Sequence, residues 1–201
     1  MKPDAQTTKN EAPPASLGRP KVVTDFTAGY LPPFDVAAKI EKMLDPIPLK
    51  YLNGLSEIVL TNTAGLPRKL RRSVTKSRKR KVRAAEALGL YYQKWKGRPA
   101  WIKIYVDNTL RNWESGIWLK LGFFREMLLG DVLFHEIGHH IHKTVRPEFR
   151  EREDVADDWK TKLRRHQFAA QHPLQRAVFG VFMPLIRKYS RRFDSNGRRR
   201  Q

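Results

Sequence analysis

The stretch Val132-Leu133-Phe134-His135-Glu136-Ile137-Gly138-His139-His140 holds two histidines four residues apart, with a glutamate directly after the first. Positions four apart share one face of a helix, so imidazoles at 135 and 139 can converge on a single metal ion. A glutamate beside the first ligand can reach a water on that ion without binding the metal itself. Zinc lowers the pKa of such a water towards neutrality and polarises a peptide carbonyl. Glu136 would take the proton and pass it to the leaving amine. A purely structural zinc site would not need Glu136 and would close its fourth position with another His or Cys.

A catalytic zinc needs a third protein ligand. Downstream lies Glu151-Arg152-Glu153-Asp154-Val155-Ala156-Asp157-Asp158-Trp159, separated by thirteen residues from His139 to Glu153. That length lets one helix end, turn at Pro147 and return as a second. Glu153 and Asp157 share a face of the second helix, which suits Glu153 as third ligand and Asp157 as acceptor for a histidine N–H. Asp154 and Asp158 form a competing pair with the same spacing, and carboxylates near a helix N-terminus also favour the dipole without any metal. His140 and His142 are rotated off the His135/His139 face and read as surface or supporting residues. For the oxyanion of a peptide hydrolysis, Tyr105, His166, His172 and Tyr189 are available donors, and no spacing selects among them.

The elements that must carry these residues follow from periodicity. Val36, Ile40, Met43 and Leu44 predict a helix from Asp35, stopped by Pro46 and Pro48. Leu55–Asn62, Ala87–Trp95 and Ala100–Val106 read as strands. From Glu126 the apolar recurrence through Val132, Leu133, Ile137 and Ile141 is helical up to Pro147, with an interruption at Gly130 and Asp131 as a possible N-cap. Leu133, Phe134, Ile137 and Ile141 should pack the side of that helix away from the histidines, and Gly138 should let another segment come close. A second helix is expected from about Glu148 to Ala170, with Val155, Trp159 and Leu163 on one stripe. A third follows Pro173 and is kinked or ended at Pro184. The fold class expected is α+β: a short three-stranded mixed sheet packed on the HExxH helix, with further C-terminal helices.

HEIGH followed by Glu153-x-x-Ala156-Asp157 resembles the gluzincin clan of metallopeptidases in its minimal form, and within it the small ImmA/IrrE-type domains. The resemblance spans roughly residues 35–190 by element order. It implies a zincin-like fold and one catalytic Zn2+ held by His135, His139 and Glu153, with Glu136 as general base. It also implies a protein or peptide substrate, bound in extended form along an edge strand above the zinc. Residues 57–62 or 100–106 are the candidates for that edge. The chain departs from the family pattern in a basic insertion at 68–83 and a basic tail, and it carries no helix-turn-helix region.

The formal net charge is +20, but it is unevenly spread. Arg68–Arg83 holds ten of the 40 basic residues and no acid, and residues 187–201 hold seven more with Asp194 alone opposing them. The remainder is nearly balanced, at 23 basic against 19 acidic residues. Arg71, Arg72, Lys79, Arg80 and Lys81 in the insertion could neutralise phosphates, making nucleic acid or an acidic protein a candidate partner. Aromatics for stacking are missing from that run. An alternative reading of the whole chain is thus a basic nucleic-acid-associated protein with a structural or inactive zinc site. The chain divides into a disordered arm at 1–20, a metallopeptidase domain at 21–190 and a basic tail at 191–201. No cysteine is present, which excludes disulfides and thiolate zinc sites. No apolar run reaches the roughly 18 residues of a membrane span, and no signal core follows Met1, so a cytoplasmic location without membrane contact is expected.

Overall fold

The computed structural model describes residues 18–67, 69, 73–77, 80–111, 122–145 and 153–171. It is an α+β domain built on a four-stranded mixed sheet. In chain order the described elements are β1 (Lys21–Asp25), α1 (Val36–Leu44), β2 (Leu55–Thr61), β3 (Val74–Ser77), β4 (Arg80–Arg83), β5 (Gly89–Tyr92), β6 (Ala100–Tyr105), α2 (Val106–Leu110), α3 (Gly122–Val145) and α4 (Glu153–Gln171).

The sheet order is β1-β2-β6-β5. β1, β2 and β6 run parallel, and β5 is antiparallel to β6. The expected sheet of three strands therefore gains a fourth, β1. Lys-Val-Val-Thr-Asp is short and follows Pro20, so it offers too little pattern for a strand; pairing along Glu57–Thr61 of β2 supplies what its own sequence lacks. β6 alternates over most of its length as a half-covered strand should, whereas β2 is buried on both faces from Ile58 to Thr61; Ile58, Leu60, Ile102 and Ile104 are fully buried in the core shared with the helices. Both strands are interior, so neither 57–62 nor 100–106 forms an edge. The edges are β1 and β5.

α1 begins where Asp35 accepts a hydrogen bond from the Ala38 amide at 3.0 Å, a side-chain N-cap. Val36, Ile40, Met43 and Leu44 are its buried face. α3 is one unbroken helix, so Gly130 does not interrupt it and Asp131 is not an N-cap. Gly130 instead sits against the Phe134 ring and Met43 of α1, where an added Cβ would lie 3.2 Å from Phe134. From Val132 to His142 all positions but His135 are buried. Leu133, Phe134, Ile137 and Ile141 reach full burial in the core. α3 is thus sandwiched between the sheet and α4, as an almost uniformly buried helix must be.

The basic insertion is not an irregular loop: β3 and β4 pair antiparallel as a separate two-stranded sheet, from Val74↔Arg83 to Ser77↔Arg80. The β-branched Val74, Thr75 and Val82 supply strand propensity within the charged run. Arg80 and Lys81 lie on β4, whereas Arg71, Arg72 and Lys79 fall outside the described residues. So do the N-terminal arm up to residue 17, the helix expected after Pro173 and the basic tail. Among the described residues, no helix is long and apolar enough to cross a membrane.

Candidate metal centre

α3 and α4 cross where both histidines face α4. Gly138 makes that crossing possible: a Cβ there would lie 2.6 Å from the Ala156 carbonyl oxygen and 3.0 Å from its Cα. The close approach expected of Gly138 is thus with α4, one turn from Glu153. His135 Nε2 and His139 Nε2 lie 3.1 Å apart. Glu153 Oε2 stands 3.3 Å from the first and 3.8 Å from the second.

These distances test whether a zinc ion suits the donors. Bonds of roughly 2.0–2.1 Å at tetrahedral angles require ligand atoms about 3.3–3.4 Å apart. The three separations bracket that value. A hydrogen bond between two imidazoles would also bring nitrogens to 3.1 Å, but it would not call for a carboxylate as third vertex of the triangle. Two imidazoles and one carboxylate form a donor set typical of a zinc centre that keeps an open position.

His135 is held in its tautomer from behind. Its Nδ1 donates to Asp157 Oδ1 at 3.1 Å, leaving the Nε2 lone pair turned towards the cluster. Lys160 Nζ braces Asp157 at 3.2 Å and reaches Asp131 of α3 at 3.4 Å, so one lysine ties the two helices beside the site. The competing pair Asp154 and Asp158 is exposed, whereas Glu153 and Asp157 face α3. Lys160 was not apparent from sequence, since an i,i+3 lysine is ordinary on any acidic helix.

Glu136 is buried beside the edge strand. At Gly89 of β5 an added Cβ would come within 2.7 Å of Glu136 Oε1, 2.9 Å of its Cγ and 2.8 Å of Val132 Cγ1. Gly89 therefore creates the space in which the carboxylate lies. The loop ahead of it is pinned by Asn108 of α2, whose side-chain amide donates to the carbonyls of Ala85 at 2.7 Å and Ala87 at 2.9 Å. The Tyr105 amide adds a bond to the Leu88 carbonyl at 2.9 Å. Gly89 was also missed in sequence; a lone glycine opening a strand carries no signal of the side chain that will occupy its space.

Among the described residues, the remaining candidates do not join the cluster. His140 is buried rather than at the surface. Its Nε2 donates to the Asn53 carbonyl at 2.9 Å and its Nδ1 accepts from the Tyr91 hydroxyl at 3.3 Å. Burial lowers its pKa, partly opposed by the Asn53 carbonyl, so it is a neutral core histidine. His142 is buried too. Tyr105 lies on the sheet face away from α3, and burial, with Tyr92 and Asp107 nearby, pushes its hydroxyl up to about 12. That position excludes it as a donor at the cluster. His166 is exposed on α4, over three turns beyond Glu153, and His172 and Tyr189 lie outside the described residues. Tyr92, by contrast, feels Glu136: burial first and that carboxylate second raise its hydroxyl pKa.

A cleft of about 700 Å³ opens at the carboxyl ends of the parallel strands, lined in part by Tyr30, Asn62, Thr63, Asp107 and Arg111. None of the converging donors borders it. The donor geometry, not cavity size, locates the centre. Comparison of the chain with models of known protein families, with curated proteins and with solved structures gives no match.

Proposed function

We propose that this chain is a zinc-dependent metallopeptidase of zincin-like architecture, acting on a protein or peptide substrate in the cytoplasm. The observation that carries the reading is the convergence of His135, His139 and Glu153 within 4.8 Å of one another, with Glu136 one residue from the first ligand. The two histidines and Glu153 would hold the ion. When bound, zinc supplies Lewis acidity towards a carbonyl oxygen and lowers the pKa of water.

The protein's own groups do the rest. Glu136 receives the water's proton at its carboxylate and returns it to the departing amine, so it begins and ends the cycle ionised. Its burial keeps bulk water from competing for that proton, and Gly89 leaves the carboxylate room to turn. Asp157 holds His135 in the tautomer that points Nε2 inwards. β5, the edge nearest Glu136, offers an outer side along which an extended substrate could lie as an added strand. The resemblance to ImmA/IrrE-type domains supports the same reading.

The decisive measurement is metal content together with hydrolysis of an unstructured protein substrate. Wild-type protein should carry about one zinc and cleave. Glu136→Gln should keep the zinc and lose at least a hundredfold in rate, the size of a general-base contribution. Glu153→Ala should lose the metal. Metal-free wild-type protein, or an active Glu136→Gln enzyme, would sink the proposal.

A further inference from the structure

The β5–β6 hairpin continues past its ladder into a tip that the metal centre does not use. From Tyr92 to Arg98 the sequence is Tyr-Gln-Lys-Trp-Lys-Gly-Arg; Tyr92 is half-covered, and every residue from Gln93 to Arg98 is exposed. Cations and aromatics interleave, and no acid intervenes. Trp95 stands 64% exposed, the most open of the large aromatics among the described residues. A folded chain normally removes such a ring from water.

The backbone of the tip is built, not loose. Trp95 and Arg98 exchange both backbone hydrogen bonds, at 3.1 and 2.9 Å. The two residues between them, Lys96 and Gly97, take positive φ of 45° and 83°, as a two-residue hairpin turn demands. Asn or Gly is the usual residue at the first of these positions. A lysine there accepts an unfavourable backbone region and brings a cation to the apex, where Lys96 Nζ lies 5.8 Å from the centre of the Trp95 ring.

The base of the hairpin repeats the pattern. Tyr92 and Trp101 stack across the strands with ring centres 4.0 Å apart and planes within 5° of parallel. Lys103 lies over Trp101 at 5.5 Å. Among the described residues β5 is an edge strand. Flat rings accept nucleobases of any identity, and interspersed cations neutralise the connecting phosphates. The +20 net charge of the chain adds long-range attraction for such a polyanion.

We propose that the tip of the β5–β6 hairpin is a binding site for single-stranded nucleic acid, with Trp95 as the base-stacking platform and Lys94, Lys96 and Arg98 as phosphate-binding groups. The site is independent of the metal centre. An acidic protein segment would satisfy the cations but would leave Trp95 without a planar partner.

The test uses the full chain and fluorescein-labelled oligo(dT), oligo(rU) and a blunt duplex of equal length, each longer than the roughly 4–16 nucleotides a single-strand site covers. Binding is followed by anisotropy and by quenching of tryptophan emission. The single strands should bind more tightly than the duplex, and their relative affinities identify DNA or RNA as the preferred source. Trp95→Ala should weaken single-strand binding roughly 5- to 100-fold without changing its salt dependence, while Trp95→Phe keeps most of the affinity. Lys94→Ala with Lys96→Ala should flatten the salt slope by about 0.7 for each phosphate that is no longer neutralised. Two results would overturn the site: Trp95→Ala binding single strands as well as wild type, or polyglutamate displacing them at matched charge. An unchanged thermal midpoint shows that Trp95→Ala is folded, and Glu136→Gln should bind like wild type.

Discussion

Gly89 decides where the carboxylate of Glu136 can lie. An alanine Cβ at 89 would meet both the carboxylate and Val132 at under 3 Å, and since the β-branched Val132 has little rotamer freedom, the longer Glu136 side chain must give way. Gly89→Ala should therefore reduce peptide hydrolysis at least tenfold while zinc content stays at the wild-type value; a variant that also lost its metal would show that the substitution disturbs α3 itself. Tyr105 supports a second prediction at this scale. Its hydroxyl is raised from 10.0 to about 12 in the folded chain, so between these values the unfolded state releases a proton that the folded state keeps. Stability from this group is complete below pH 10 and is lost as pH climbs towards 12, by at most about 2–3 kcal/mol. Denaturant unfolding of wild type and Tyr105→Phe across pH 9–12 should show wild type losing more stability than the variant as the pH rises.

Among the elements, the crossing of α3 and α4, closed by Gly138 against Ala156, brings the candidate metal donors together. The atom an alanine Cβ would strike is backbone, and backbone cannot swing aside as a side-chain end can. Gly138→Ala should push α4 outwards, carrying Glu153 and Asp157 away from the histidines together. A loss of about 1–3 kcal/mol in unfolding free energy is expected from overpacking. Zinc affinity should fall with it, measurable by competition with a chromophoric chelator. Retention of full affinity would mean that Glu153 is not held by this crossing. Lys39 and Glu126 pair at 2.7 Å between α1 and α3 with Glu126 almost wholly buried, and this tie holds α3 against α1.

At the scale of the whole molecule, metal and charge act on different parts. An ion at His135, His139 and Glu153 would bridge α3 to α4, so it binds the folded chain and stabilises it by mass action. Chelation should lower the thermal midpoint by several degrees, and restored zinc should recover it. His139→Ala should melt at one temperature with or without chelator, and a wild-type midpoint indifferent to zinc would argue against the ion altogether. The positive charge is concentrated in other parts of the sequence, residues 68–83 and 187–201, with a smaller group at the β5–β6 tip. Ionic strength should accordingly shift polyanion binding far more than it shifts the melting temperature.

Much of the centre was legible from residue type and spacing, because helical geometry is local. A four-residue interval puts His135 beside His139 whatever the rest of the chain does, and Val36, Ile40, Met43 and Leu44 mark one face of α1 in the same way. The same rule favoured Glu153/Asp157 but left Asp154/Asp158 as a competing pair, since both pairs have that interval. Only the packing of α4 on α3, through Gly138 and Ala156, turned one pair inwards and left the other exposed. Strand order was likewise hidden: β1 lacks a pattern of its own, and the edge beside Glu136 is β5 because β2 and β6 are flanked on both sides. Gly89, Lys160 and Asn108 act through neighbours 20 or more residues distant, or across a helix crossing, which no window of sequence contains. Local chain geometry thus determined the spacing of the two histidines, while non-local packing decided which carboxylate faces them, which strand borders Glu136 and which aromatic ring stays in water.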